Sequence, residues 1–282
     1  MNLPAPSRFA VSAGAFVYGF AVLVLVFLVL PVLIVIPMSV SDTTYLTFPP
    51  KGFTWRWYAE IATESAWTRP AWLSIRIALL TAVASMIIGT AAAYAIVRGR
   101  FHGKSAIRLL IVSPIIAPNI VVAIAIFFAF VQLRLIGTTL GFVLAHSILC
   151  VPFVVLTVSA ALERFDADLE LAAMNLGASR LTAFRRVTLP VILPGVIGGA
   201  VFSFLISFDE PVISYFVSSV RQATLPRVMF QNIETSVEPS VAAISTVLLV
   251  LSATIVIAAL VLRRKSGGML PGFSKRPEDA SK

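Results

Sequence analysis

Cysteine is almost absent from this sequence: Cys150 stands alone, so the chain can form no intrachain disulfide. Histidine is nearly as scarce. His102 and His146 lie far apart, and neither has a carboxylate or cysteine at ligand spacing, so no metal site is expected. Charge is thin as well, with Asp, Glu, Lys and Arg making up 12% of the 282 residues against 59% hydrophobic. The mean hydropathy of +0.96 is too high for an ordinary soluble core and points to an integral membrane protein. No alternating strand pattern suggests a barrel, which leaves helices as the only way across lipid.

Catalytic and nucleotide-binding signatures are missing too. The stretch GRFHGKS at 99–105 places three residues between its glycines where a phosphate-binding loop needs four, and no strand precedes it. Serines are scattered through the apolar stretches, where small residues let helices approach, and none stands out as a nucleophile. No catalytic residue and no bound cofactor are expected. His146 reads as a hydrogen-bonding residue between packed helices.

What is present is a set of long apolar runs. Crossing about 30 Å of hydrocarbon at about 1.5 Å per residue takes roughly 20 apolar residues. Six segments qualify, at 16–38, 70–97, 107–131, 140–162, 191–216 and 241–262. The fold class expected is therefore all-α, with a six-helix membrane domain over 16–262. The first run is too long for a signal-peptide core and continues into SDTTYLTF, so it is expected to remain as a span.

An even number of spans puts both termini on one side, and the positive charges choose it. Fifteen Lys and Arg residues fall on the side of the termini: Arg8; Arg98, Arg100, Lys104 and Arg108; Arg164, Arg180, Arg185 and Arg186; Arg263, Arg264, Lys265, Lys275, Arg276 and Lys282. Seven fall opposite or just inside the second span: Lys51, Arg56, Arg69, Arg76, Arg134, Arg221 and Arg227. The stretches 1–15 and 263–282 are accordingly expected in the cytoplasm. The net charge of +9 is then a topology signal, and its dispersal over several loops argues against nucleic-acid binding. Between the first two spans Trp55, Trp57, Trp67 and Trp72 suggest a headgroup-level belt, with Trp57 also a candidate for the solute path.

Polar groups at depth mark a conduit. In SFDEPVIS the acids Asp209 and Glu210 lie in the outer part of the fifth span, followed by Pro211, which has no N–H for the Ser207 carbonyl. Adjacent helical residues point about 100° apart, so the two acids are not expected to share a role. They form either a site for a cation or a pair with Arg76 of the second span. In the third span, Pro114 and Pro118 loosen the helix and Asn119 presents an amide to the path.

One polar stretch interrupts the second half of the chain, at 163–190. It reads as two short helices, ERFDADLELAAMNL stopped at Gly177 and SRLTAFRRV begun at Ser179 and ended before Pro190. Leu181, Phe184 and the stem of Arg185 share a face that would lie on the inner leaflet or dock in a groove of a partner.

Here the residues resemble a known family. Ala172 and Ala173, Gly177, and then Val187, Leu189 and Pro190 have the spacing of the EAA loop of binding-protein-dependent ABC importer permeases with the type I (MetI-like) fold. The likeness extends through GFTWRWY, LLIVSPIIAPNIV, LAHSILCVPFVVLTVSAALERFDADLELAAMNLGAS and SFDEPVISYFVSS, and is strongest to the polyamine (spermidine/putrescine) type. The resemblance implies that the loop is a coupling helix driven by a separate ATPase, which holds the ATP and Mg. It also implies a bacterial inner-membrane complex of two permease subunits, here a distinct pair, with two ATPases and a periplasmic solute-binding protein. The coupling residues it implies are Glu170, Ala172, Ala173, Gly177, Ala178, Arg180, Leu189 and Pro190. Two positions depart from the family: Leu171 stands at its glutamate, with Glu170 one place earlier, and Asn119 stands where polyamine permeases often carry an acid. The alternatives are an importer of a different small solute, an ion-coupled secondary transporter using Asp209 or Glu210, and a passive scaffold.

Overall fold

The computed structural model describes residues 8–235 and 238–266, so parts of the stretches expected in the cytoplasm, 1–15 and 263–282, lie outside the described residues. The elements are α1 (Arg8–Met38), α2 (Arg56–Thr63), α3 (Ser65–Arg98), α4 (Lys104–Ile116), α5 (Asn119–Gln132), α6 (Thr139–Arg164), α7 (Ala167–Asn175) and α8 (Arg180–Ala183). A π-turn (Phe184–Thr188) follows, then α9 (Leu189–Phe208), α10 (Val212–Val217), α11 (Leu225–Thr235) and α12 (Pro239–Ser266). No strand occurs among the described residues, as the absence of alternation implies.

The chain divides into two compact units, residues 1–61 with 236–282, and residues 62–235. In the first, α1 packs on α12. The loop after α1 is fastened by Trp57, whose Nε1–H donates to the Ser41 carbonyl at 2.9 Å, and by the hydroxyls of Ser39 and Tyr58 at 2.7 Å. Trp57, a candidate for the solute path, is thus buried, with its polar edge already paired. Of the four tryptophans, Trp55 and Trp72 are exposed as a belt requires, whereas Trp57 and Trp67 are buried.

In the second unit α3, α6 and α9 form the core. Lipid tails are as apolar as leucine, so helix association in a membrane rests on close packing of small residues. Gly195 and Gly199 of α9, one helical turn apart, face α6: a Cβ at Gly199 would lie 2.7 Å from Thr157 Oγ1 and 3.0 Å from Val154 Cα. One cluster, at the α7 end, joins Ala93, Ile96, Val154, Val158, Leu162, Ile192 and Val196. A second joins Ile77, Ile126, Phe130, Phe142, Leu149, Ile213 and Val217. Gly199→Ile should overpack the α6–α9 contact and cost about 1–3 kcal/mol or more, read as a lowered Tm of the detergent-solubilised chain against wild type.

Among the described residues, four helical stretches are long and apolar enough to cross a membrane: Val17–Met38, Ser65–Arg98, Thr139–Arg164 and Arg180–Phe208. The third expected span is not straight. It is the pair α4 and α5, bent by 107°. The cause is Pro118, whose ring forces the preceding Ala117 out of the helical region to φ −71°, ψ 141°.

The fifth expected span differs at both ends. The helix does not stop before Pro190 but runs on from Arg180 to Phe208. The π-turn makes this possible: Leu189 N–H bonds the Phe184 carbonyl five residues back, and Pro190 follows at the start of α9, where its missing N–H is tolerated. At the far end the helix breaks at Asp209–Pro211 and resumes as α10.

Candidate functional site

The polar interruption folds as a hinged pair of helices. Asp166 caps α7, accepting from Asp168 N–H at 3.0 Å, and Ser179 caps α8, accepting from Thr182 N–H at 3.3 Å. Between them Gly177 sits at φ +91°, a left-handed conformation that glycine adopts freely. Gly177 N–H bonds the Met174 carbonyl at 2.9 Å and Ala178 N–H the Ala173 carbonyl at 3.1 Å, the paired bonds of a Schellman cap. The turn throws Leu176 outward, 90% exposed, and Leu169, Leu171 and Leu181 are exposed beside it. Ala172, Arg180, Arg185, Arg186 and Pro190 are exposed too, while Ala173, Ala178 and Leu189 are half-buried. An exposed apolar tip results, followed along the chain by three exposed arginines.

Phe184 does not join that tip. Its ring meets Tyr94 of α3 edge-on at 5.0 Å, which draws it inward and removes it from the exposed face expected to include Leu181 and Arg185.

Glu170, named among the coupling residues, turns inward. It is only 6% exposed. One carboxylate oxygen accepts from the Tyr94 hydroxyl, and the other accepts from Thr188 Oγ1 of the π-turn at 3.2 Å. Arg98 Nε stands 3.9 Å from the same oxygen. The Arg98 guanidinium also donates to the carbonyls of Leu162, at 3.3 Å, and Phe165, at 3.0 Å, where α6 ends and its last carbonyls lack helical donors. One buried cluster therefore ties α3, α6, α7 and the π-turn together. The sequence reading missed Tyr94 and Thr188 and counted Arg98 only as a topology charge. The spacing of Tyr94 and Arg98, one helical turn apart at the end of a span, was the available signal.

At the break after α9 the two acids part company. Glu210 is buried, and its Oε1 accepts from Val212 N–H at 2.8 Å and Ile213 N–H at 2.9 Å, capping the first turn of α10. Asp209 is exposed at the end of α9. Arg76 lies on an exposed face of α3 beside Trp72, Leu79 and Leu80, and among the described residues it pairs with neither acid. The pairing considered from the sequence is absent. Asn119, at the start of α5, is exposed at the bend between α4 and α5. No hydrogen bond among the described residues joins Asn119, Asp209 and Arg76. His146 of α6 bridges the broken helix, with Nδ1 2.8 Å from Ser207 Oγ of α9 and Nε2 3.1 Å from Ser214 Oγ of α10. It is the packing hydrogen bonder its isolation implied.

Residues 85–267 match the family described as binding-protein-dependent transport system inner membrane component. The chain belongs to that family. As a member of it, the chain is a multi-pass membrane component of an ABC transport system, not an enzyme, and membership supports this reading rather than the ion-coupled alternative. The chain is 35% identical over 252 residues to a spermidine/putrescine transport system permease protein of Haemophilus influenzae, covering 88% of this chain and 96% of that one. It is 34% identical to a putrescine transport system permease protein of Escherichia coli K12, over 79% and 82% of the two chains. In fold it is similar to a chain of a bacterial ABC transporter that imports the acidic polysaccharide alginate. The TM-score is 0.71 at 15% identity, covering 93% of this chain and 99% of that one.

Proposed function

We propose that this chain is one permease subunit of an ATP-driven importer that carries polyamines, spermidine or putrescine, inward by alternating access. The observation that carries the proposal is the outward-turned helix pair hinged at Gly177, in a chain that is 35% identical to a spermidine/putrescine permease over 88% of its length. In this reading α7, α8 and the exposed Leu176 enter a cleft of a cytoplasmic ATPase, which holds the ATP and Mg. Six spans cross the bilayer, the bent pair α4–α5 counting as the third and the apolar run 241–262 as the sixth. The loops rich in arginine, with both termini, face the cytoplasm. A second, distinct permease, two ATPases and a periplasmic solute-binding protein complete the assembly.

Asp209 supports a cationic cargo. It is an exposed acid beside the carbonyl end of α9, where the helix dipole is negative. A permease named for molybdenum transport, from Mycobacterium bovis, is also 31% identical over 75% of this chain, so another solute is the competing reading. The test is ATP hydrolysis by the complex in proteoliposomes, with its ATPase and external receptor. Spermidine delivered by the receptor should stimulate hydrolysis, and molybdate should not. Uptake by the chain alone without ATP would overturn the proposal, and stimulation by molybdate only would overturn the substrate.

A further inference from the structure

Glu170, Arg98, Tyr94 and Thr188 lie at the opposite end of α9 from Asp209 and Glu210, in the half of the chain that carries the exposed loop. Their geometry is specific. A carboxylate is costly to bury unless it is paired and hydrogen-bonded, and Glu170 is both. Its partners come from two different elements. Tyr94 and Arg98 sit at the end of α3, the longest span. Thr188, 0% exposed, sits in the π-turn that leads without a break into α9. Through the carbonyls of Leu162 and Phe165, Arg98 also holds the end of α6, one turn before α7 begins. α3 and the turn leading into α9 thus meet at one carboxylate of α7, and the end of α6 joins them through Arg98.

Apolar contacts alone would let α7 slide or rotate on this base, because dispersion is non-directional. Two hydroxyl hydrogen bonds to its carboxylate, with the Arg98 guanidinium 3.9 Å away, fix its azimuth. We infer that Glu170, with Arg98, Tyr94 and Thr188, forms a positioning cluster that locks the coupling helix to α3, α6 and α9, so that displacement of the loop turns all three spans together. This rests on the reading of the loop as the point where force enters. It assigns Glu170 an inward role distinct from contact with the ATPase, which falls to the exposed Leu176, Leu171 and Leu181. Leu171 at the outer position and Glu170 at the inner one are then two parts of a single arrangement.

The test uses Glu170→Gln, which keeps volume and loses charge, and Tyr94→Phe, which removes one hydroxyl and keeps the ring on Phe184. Both are assembled with the second permease, the ATPases and the receptor in proteoliposomes, and spermidine uptake per ATP hydrolysed is measured. Glu170→Gln should lower that ratio about tenfold or more and Tyr94→Phe by a smaller factor, with the ATPase still bound. A second readout is a spin label at Leu176→Cys, in a chain with Cys150→Ala, placed in nanodiscs without ATPase. Its mobility should rise in both variants. Unchanged coupling and unchanged mobility would overturn the inference. So would loss of the bound ATPase in Glu170→Gln with an immobile label, since Glu170 would then be a docking contact. If the wild-type complex shows no ATP-driven uptake, the proposed function fails, and the label readout still decides the cluster.

Discussion

Gly177→Val should abolish uptake while leaving the chain inserted and folded in the membrane. The substitution meets no obstacle in space, because no heavy atom lies within 4 Å of where the new Cβ would stand. The penalty is in the backbone alone. At φ +91° a β-branched residue is strained, which costs on the order of 1–3 kcal/mol and shifts the turn's population by a factor of roughly 5 to 30 or more. Relief of that strain opens the two capping bonds to Met174 and Ala173, and the angle between α7 and α8 is lost with them. Leu176 then no longer projects as one tip. Spermidine uptake in cells carrying the variant should fall at least tenfold, with the amount of chain in the membrane fraction near wild type. Gly177→Asn, which tolerates the left-handed region better, should retain a substantial share. Full uptake in Gly177→Val would mean that the loop transmits nothing.

The hinge was legible from the sequence because its signals are local. Asp166, Gly177 and Ser179 each act within three or four residues of themselves, and a cap or a left-handed turn is written in the same residues that form it. Four of the apolar spans were legible for a similar reason, since length and hydropathy are properties of a single segment. The bend between α4 and α5 was foreshadowed by Pro114 and Pro118, but its size was not, because the angle depends on where the neighbouring helices hold α5. The continuity of α8 with α9 was misread. Proline after a polar helix looks like a stop, and only the π-turn upstream, which has no clear residue signature, lets the helix run through.

Burial of Glu170 was illegible for the opposite reason: its partners lie 76, 72 and 18 positions away along the chain, at Tyr94, Arg98 and Thr188. A carboxylate one residue from the family's usual place cannot simply inherit its contact, yet nothing local says which partners it takes instead. In three dimensions the one-residue shift turns it through about 100°, from the outside of the loop to the inside. Glu210 repeats the lesson at the other end of the bundle. That two adjacent helical acids take different roles was legible from their angle about the axis, but which of them caps α10 and which remains free was not.

That free neighbour is the subject of the second large effect: Asp209→Asn should lower polyamine uptake about ten- to a hundredfold. Asn is nearly isosteric, so the helix end is preserved and the change is one of charge. A charge-assisted hydrogen bond to an ammonium contributes about 1.5–3 kcal/mol, and each 1.4 kcal/mol or so is a factor of about ten in affinity. Asp209 qualifies for that contact because it is exposed, carries no ion pair among the described residues, and stands where α9 presents its carbonyl end. Glu210→Gln is the matched control. Its remaining carbonyl can still accept from Val212 and Ile213 N–H, so α10 keeps its cap and uptake should stay within a few-fold of wild type. Charge should also grade the loss by substrate, with the more highly charged spermidine affected more than putrescine. Asp209→Glu, which restores the charge on a longer stem, should recover part of the activity. Equal uptake by wild type and Asp209→Asn would remove the acid from the solute path, and with it the case for a cation chosen by this subunit and not by the external receptor alone.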